Sequence, residues 1–206
     1  MNWNTGWWRG LDPNGDKKKW RYTLWDMDNT FGHGTNYTGI PTTGVNADPC
    51  DPSSLNDPGG QGHVPIWNEM LTNEDFFNDY LNRWQDLAMT DLSCANMISV
   101  LDSMVAVIDP EMPRQIATWG GTYNEWQSNV QDVRDFILAR CSTMNNGFIP
   151  CYPDLSGPFN VTIEIVGIGE VEMSDNLIIN ETNTPQVYSR YGVVENTLEV
   201  KSVTFK

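Results

Sequence analysis

Trp25-Asp26-Met27-Asp28-Asn29-Thr30-Phe31-Gly32 is the stretch on which the fold of this chain turns. The residues before it, Arg21-Tyr22-Thr23-Leu24, have the aromatic and β-branched character of a strand. After it the chain enters a loop rich in glycine and threonine. Carboxylates one residue apart, just past a strand end, make a hard-oxygen site. Mg²⁺ suits such a site, because the protein typically gives it one or two carboxylates while water and substrate phosphates fill the rest. The plain alternative is that Asp26 and Asp28 cap turns, as Asp commonly does in loops.

The residues around the motif weigh against the plain alternative. An Asp followed closely by Phe31-Gly32 is similar to the metal-holding Asp-Phe-Gly element of kinases. From Trp7 to about Met144 the chain resembles the C-terminal part of the CotH-type atypical protein kinases of spore coats and secreted proteins. The resemblance is carried by Trp7-Trp8-Arg9 and by Lys19-Trp20-Arg21-Tyr22-Thr23-Leu24-Trp25-Asp26-Met27-Asp28 running into Phe31-Gly32. Leu71-Thr72-Asn73-Glu74-Asp75-Phe76-Phe77, Tyr80-Leu81-Asn82-Arg83, Ile108-Asp109-Pro110-Glu111-Met112 and Val133-Arg134-Asp135-Phe136-Ile137 add to it. Leu24 stands where the family commonly has Pro, and Glu74-Asp75 replaces Pro-Glu in an "N-P-E-F" helix opening.

The resemblance implies ATP- and Mg²⁺-dependent phosphoryl transfer to Ser or Thr hydroxyls of a surface or coat protein. Asp26 matches the family's metal-positioning Asp, and Asp28 a second, more variable acidic position. Asn4, upstream on the same sheet, offers an amide oxygen as a further ligand, although a polar residue at a strand edge is its plainer role. His33 lies beside the loop but has no paired acid. The family's nucleotide-binding lobe, its phosphate-contacting Lys and its general base belong upstream of Met1. The expectation is therefore a piece of a kinase carrying part of a site, with little activity by itself.

Two other readings compete. CotH-like domains also serve as structural or adhesin modules on cell and spore surfaces, so a non-catalytic role is the main alternative. Asp26-x-Asp28-x-Thr30 is in addition the signature of haloacid-dehalogenase-type phosphatases, in which the first Asp is a nucleophile. That chemistry needs a downstream Lys and later βα units. Lysine is absent between Lys19 and Lys201, and the residues after the motif read as helices.

Composition narrows the classes further. The formal net charge is −15, from 27 acidic and 12 basic residues, which argues against binding to nucleic acid or an anionic membrane, since clustered Lys and Arg hold such phosphates. The one basic cluster, Lys17-Lys18-Lys19, falls at a hairpin tip and reads as a solvated turn. No run approaches the 18 or so apolar residues of a membrane helix. Cys50, Cys94, Cys141 and Cys151 form no C-x-x-C pair, and His33 and His63 are not spaced as zinc partners. An even cysteine count in an acidic chain rich in Asn, Thr, Gly and Trp points to disulfides and an extracellular bacterial setting. Three connectivities are open; placement on neighbouring helices favours Cys94 with Cys141, leaving Cys50 with Cys151.

Along the chain, residues 1–32 read as a β-hairpin around Asp12-Pro13-Asn14-Gly15-Asp16. That turn resembles the start of a calcium loop, but its twelfth position is Thr23 rather than a bidentate Glu. Residues 33–64 form a long loop. Residues 65–146 read as helices, with apolar residues at three- and four-residue steps, Asp91 as the cap of a helix that Pro110 ends, and Thr122-x-x-Glu125 as a capping box. From Cys151 the pattern changes to short strands, near 161–165, 170–172, 177–179 and 198–200. The fold class expected is α+β: a protein-kinase-like C-terminal lobe of β-hairpin and mainly helical bundle, with a small all-β appendage. The domain boundaries expected are a partial kinase domain over 1–150, a linker over 151–157 and a partial β-sandwich-like module over 158–206.

Overall fold

The structure is a computed structural model, and it describes residues 5–12, 20–24, 30–32, 44–50, 62–144, 147–173, 177–193 and 202–205. The fold is α+β. The chain divides into two compact units, Met1–Asn68 and Glu69–Lys206.

In the first unit, β1 (Thr5–Trp8) pairs antiparallel with β2 (Arg21–Leu24) in the hairpin the sequence predicts. The register runs from Thr5 opposite Leu24 to Trp8 opposite Arg21. Near the turn, the Arg21 guanidinium lies 5.2 Å from the Trp8 ring centroid, and that of Arg9 lies 4.9 Å from Trp20. These cation–π contacts, at half-exposed rings, fasten the end of the ladder that carries the turn. Within the predicted long loop, residues 44–50 are turns, and the Cys50 N–H donates to Asp48 Oδ1 at 2.8 Å. Residues 33–43 and 51–61 of that loop lie outside the described residues, as do Pro13–Lys19 of the hairpin turn. α1 (His63–Met70) carries the chain from the first unit into the second.

The second unit opens with helices and no strands through 71–144, so the βα alternation that a phosphatase of the haloacid-dehalogenase type needs is not there. α2 (Glu74–Met89) is capped by Asn73, whose Oδ1 accepts the Phe76 N–H at 2.9 Å. Glu74 and Asp75 sit in its first turn, where the helix dipole favours negative charge. α3 (Cys94–Ile108) is capped by Ser93 instead of the expected Asp91. The Asp91 carbonyl accepts from Asn96 Nδ2, so that residue braces the turn while the hydroxyl two residues on takes the capping position. A 3₁₀ turn at Asp109–Glu111 leads into α4 (Met112–Trp119), so the helical run does not end at Pro110 as expected. Thr122 caps α5 (Tyr123–Met144) as predicted: its Oγ1 accepts the Glu125 N–H at 3.2 Å, and its hydroxyl donates to Glu125 Oε2 at 2.9 Å.

Strands make up the rest of the unit. β3 (Leu155–Ile163) pairs antiparallel with β6 (Gln186–Val193), and β4 (Gly169–Met173) lies between β5 (Leu177–Asn180) and β7 (Ser202–Phe205). The strand expected near 198–200 lies outside the described residues. The β3–β6 ribbon contributes a buried residue or more to each of two cores. Tyr191 and Leu155 pack with Leu81 of α2 and with Phe148, while Tyr188 packs with Ile179 of β5. Tyr188 and Tyr191 are three positions apart, so an alternating strand points them to opposite sides. On β3 the same reversal is achieved by a register shift between Ser156 and Phe159, where the Gly157–Pro158 bond is cis. An irregularity of this kind is where a strand tolerates proline. Leu155 therefore faces α2 and Ile163 faces the other sheet.

α2 is buried on more than one side. Leu81 is 1% exposed and belongs to the aromatic cluster, yet Asp86, about 140° further round the helix, is 2% exposed. Full burial of a leucine such as Leu81 contributes roughly 1.5–3 kcal/mol.

Candidate functional site

The hairpin presents two ends, and the motif leaves from the end opposite the cation–π contacts. Thr5 opposes Leu24, so the chain enters β1 and leaves β2 at the same end of the ladder. Asp26, Asp28 and Asn4 lie outside the described residues, as does His33. What the structure does describe is the close of the motif, Thr30-Phe31-Gly32.

Phe31 and Gly32 form a turn with φ of 53° and 82°. Phe31 is the only non-glycine residue with positive φ among the described residues. Its Cβ makes that conformation costly by about 1–2 kcal/mol, and such residues cluster at functional loops. Gly32 takes the same region without that cost. The Phe31 ring is 42% exposed, so burial of the ring is a weak reason for the conformation.

The motif residues thus come after a two-stranded ladder and end in a left-handed turn. A family model described as CotH kinase protein matches residues 2–144, which is more than two thirds of the chain. The chain belongs to the CotH kinase family. The match ends with α5 at Met144, so it takes in the hairpin, the motif and every α-helix among the described residues. No curated protein and no solved structure matches the chain.

The Asn73 cap lies within the matched residues. Glu74 occupies the first helical position, which an acidic residue suits, and the cap bond is made.

All four cysteines of this CotH-family chain are in disulfides. Cys94 at the start of α3 is bonded to Cys141 on α5, with Cα atoms 6.0 Å apart, the pairing that neighbouring helices favour. The bridges fit an oxidising, extracellular setting. No single helix among the described residues is long and apolar enough to cross a membrane.

Sequence reasoning passed over the buried carboxylate of Asp86 and the buried amide of Gln85, at 2% and 5% exposure. Both fall between Trp84 and Leu87, where helical periodicity reads them as the polar side of an amphipathic helix. Gln85 lines a cavity with Cys94, Cys141 and Met144, so residues of α3 and α5, distant along the chain, lie on its side of α2. Burial also raises the Tyr80 and Tyr152 hydroxyls above the usual tyrosine range; for Tyr80 the neighbouring Tyr152 and Tyr191 add to the effect.

Proposed function

We propose that this chain is part of a secreted or cell-surface CotH-type kinase that transfers the ATP γ-phosphate to Ser or Thr hydroxyls of a protein substrate, with Mg²⁺. The family match across residues 2–144 is the observation that carries the proposal. The strained Phe31-Gly32 turn closing the acidic motif supports it.

In this reading Asp26 is the principal metal ligand, Asp28 holds a second metal or a coordinated water, and the Asn4 amide oxygen completes the set. The donors are all hard oxygens, the chemistry Mg²⁺ selects. When bound, the metal neutralises charge on the phosphates during transfer. The two carboxylates bring the counter-charge, and the left-handed turn fixes where the loop leaves them. The partial kinase domain extends over 1–150 and is followed, after residues 151–157, by a β module over 158–206. An excess of acidic residues makes a protein a better partner than nucleic acid or an anionic membrane.

The test uses the whole protein in which this chain occurs, with ATP, Mg²⁺ and a radiolabelled γ-phosphate. Asp26→Ala is expected to lower turnover on the order of 100-fold or more, as loss of one preorganised charge-stabilising group does. Asp28→Ala is expected to do less. Wild-type turnover by a folded Asp26→Ala protein would overturn the site assignment. Absence of both nucleotide binding and phosphate transfer in the wild type would favour the structural or adhesin role.

A further inference from the structure

The end of α2, the start of α3 and the end of α5 enclose a cavity of about 260 Å³. α2 contributes Gln85, Ala88 and Met89, which stand at i, i+3 and i+4 and so share one face of the helix. Leu92 follows in the turn, and the rest of the wall is the Cys94–Cys141 disulfide with Met144. The bridge joins α3 to α5, so that part of the wall is held covalently. Met89, at 38% exposed, is the one exposed residue of the lining, and the cavity opens beside it.

Gln85 is the buried member of that lining, at 5% exposed, and what surface it keeps faces the cavity. Among the described residues its side-chain amide has no hydrogen-bond partner. The other lining groups cannot supply one of any strength. Ala88 and Leu92 are apolar, and the sulfurs of Met89, Met144 and the disulfide are weak acceptors. A buried amide without a partner costs stability, and that cost is recovered when a bound molecule completes its hydrogen bonds. No residue of the lining carries a charge.

We propose that this cavity binds a small, neutral aromatic molecule carrying a carboxamide or a similar paired donor and acceptor. A glutamine amide presents a carbonyl and an NH₂ side by side, so it holds such a group through two hydrogen bonds at once. Methionine thioethers pack favourably against aromatic rings, so a ring is the body that Met89 and Met144 suit. With no charged residue in the lining, an ionised ligand would leave water with nothing to balance it. An apolar cavity of about 150 Å³ holds benzene, so this one has room for roughly ten non-hydrogen atoms.

Titration of the intact chain with benzamide, followed by the NMR signals of its methionine methyls, tests this. A ligand of that size is expected to bind with a Kd of about 1 mM. The Met89 and Met144 methyls are expected to shift, and that of Met104, exposed on α3, to stay. Gln85→Met keeps the length of the side chain and removes the amide. Benzamide is then expected to bind at least roughly 10-fold more weakly, while toluene binds as well as to the wild type or better. Ala88→Phe fills the cavity and is expected to abolish binding of both probes. No shift in the wild type up to the solubility limit of benzamide would overturn the proposal. So would shifts confined to other methionines, benzamide binding that survives either substitution unchanged, or a Gln85→Met protein that loses both probes alike. Should Ala88→Phe fail to fold, the methyl shifts and Gln85→Met decide the matter.

Discussion

The Phe148 N–H donates to the Tyr191 hydroxyl at 3.0 Å, and this bond between residues 43 apart ties β6 to the turn after α5. Gly147, with φ of +45°, sits so close that a Cβ there would lie 1.8 Å from the same oxygen. Tyr191→Phe keeps the ring and strands a buried amide, which costs about 1–3 kcal/mol. Gly147→Ala forces the hydroxyl away and adds backbone strain, so it is expected to destabilise at least as much. Urea denaturation of both variants checks the order. Equal stability of all three proteins would show that the aromatic cluster, and not this bond, secures β6.

The Cys94–Cys141 bridge closes a loop of sequence separation 47 in which Ile137 is the only buried residue among the helices α3, α4 and α5. Chain-entropy reasoning puts its contribution at about 4 kcal/mol. Replacing both cysteines with serine is expected to lower stability by up to that amount. Amide exchange is expected to accelerate first in α3 and α4, while α2, clamped by Leu81 and Phe148, keeps its protection. Uniform loss of protection would mean that the helices and the β segment unfold as one unit.

Tyr80 and Tyr152 carry raised pKa values, and burial is the first cause of each. A tyrosine whose folded pKa exceeds the unfolded value of about 10 resists ionisation only while the protein is folded. Its stabilisation is whole below pH 10 and is lost as pH rises above it, toward the folded pKa. Alkaline unfolding should therefore begin above pH 10. Tyr80→Phe, which cannot ionise, should shift the transition to higher pH, followed by circular dichroism. An unchanged transition would assign alkaline unfolding to other groups.

Local signals carried much of the architecture. The hairpin, the Thr122–Glu125 capping box and the Asn73 helix start are each decided by residues within a few positions of one another. What escaped the sequence depends on contacts distant along the chain. β6 shows no clean alternation, because Tyr188 and Tyr191 serve two cores on its two faces. Asp86 reads as a surface residue until a second layer covers α2. α4 was hidden behind Pro110, which fits the first turn of a helix as well as it ends one. At the proposed site, Asp26, Asp28 and Asn4 are read from their chemistry alone, because they lie outside the described residues. The strain at Phe31 was not legible, since nothing in the letters Thr-Phe-Gly requires a left-handed phenylalanine.

That strain makes a test in which the usual order of two small residues inverts. Phe31→Ala and Phe31→Gly both remove the half-exposed ring and differ only in a Cβ. At an ordinary position glycine is the less stable of the pair by roughly 0.5–1 kcal/mol, because it loses more backbone freedom on folding. At a φ of 53° the Cβ carries a penalty of about 1–2 kcal/mol, so Phe31→Gly is expected to be more stable than Phe31→Ala by about 1 kcal/mol. Thermal denaturation of the two proteins measures that difference directly. Alanine equal to or above glycine would show that the loop relaxes and that no strain is held at Phe31. If glycine is the more stable, nucleotide turnover in the same two variants separates the remaining possibilities. Activity kept by Phe31→Gly and lost by Phe31→Ala makes the left-handed backbone the functional feature. Activity lost equally by both assigns the role to the phenylalanine ring.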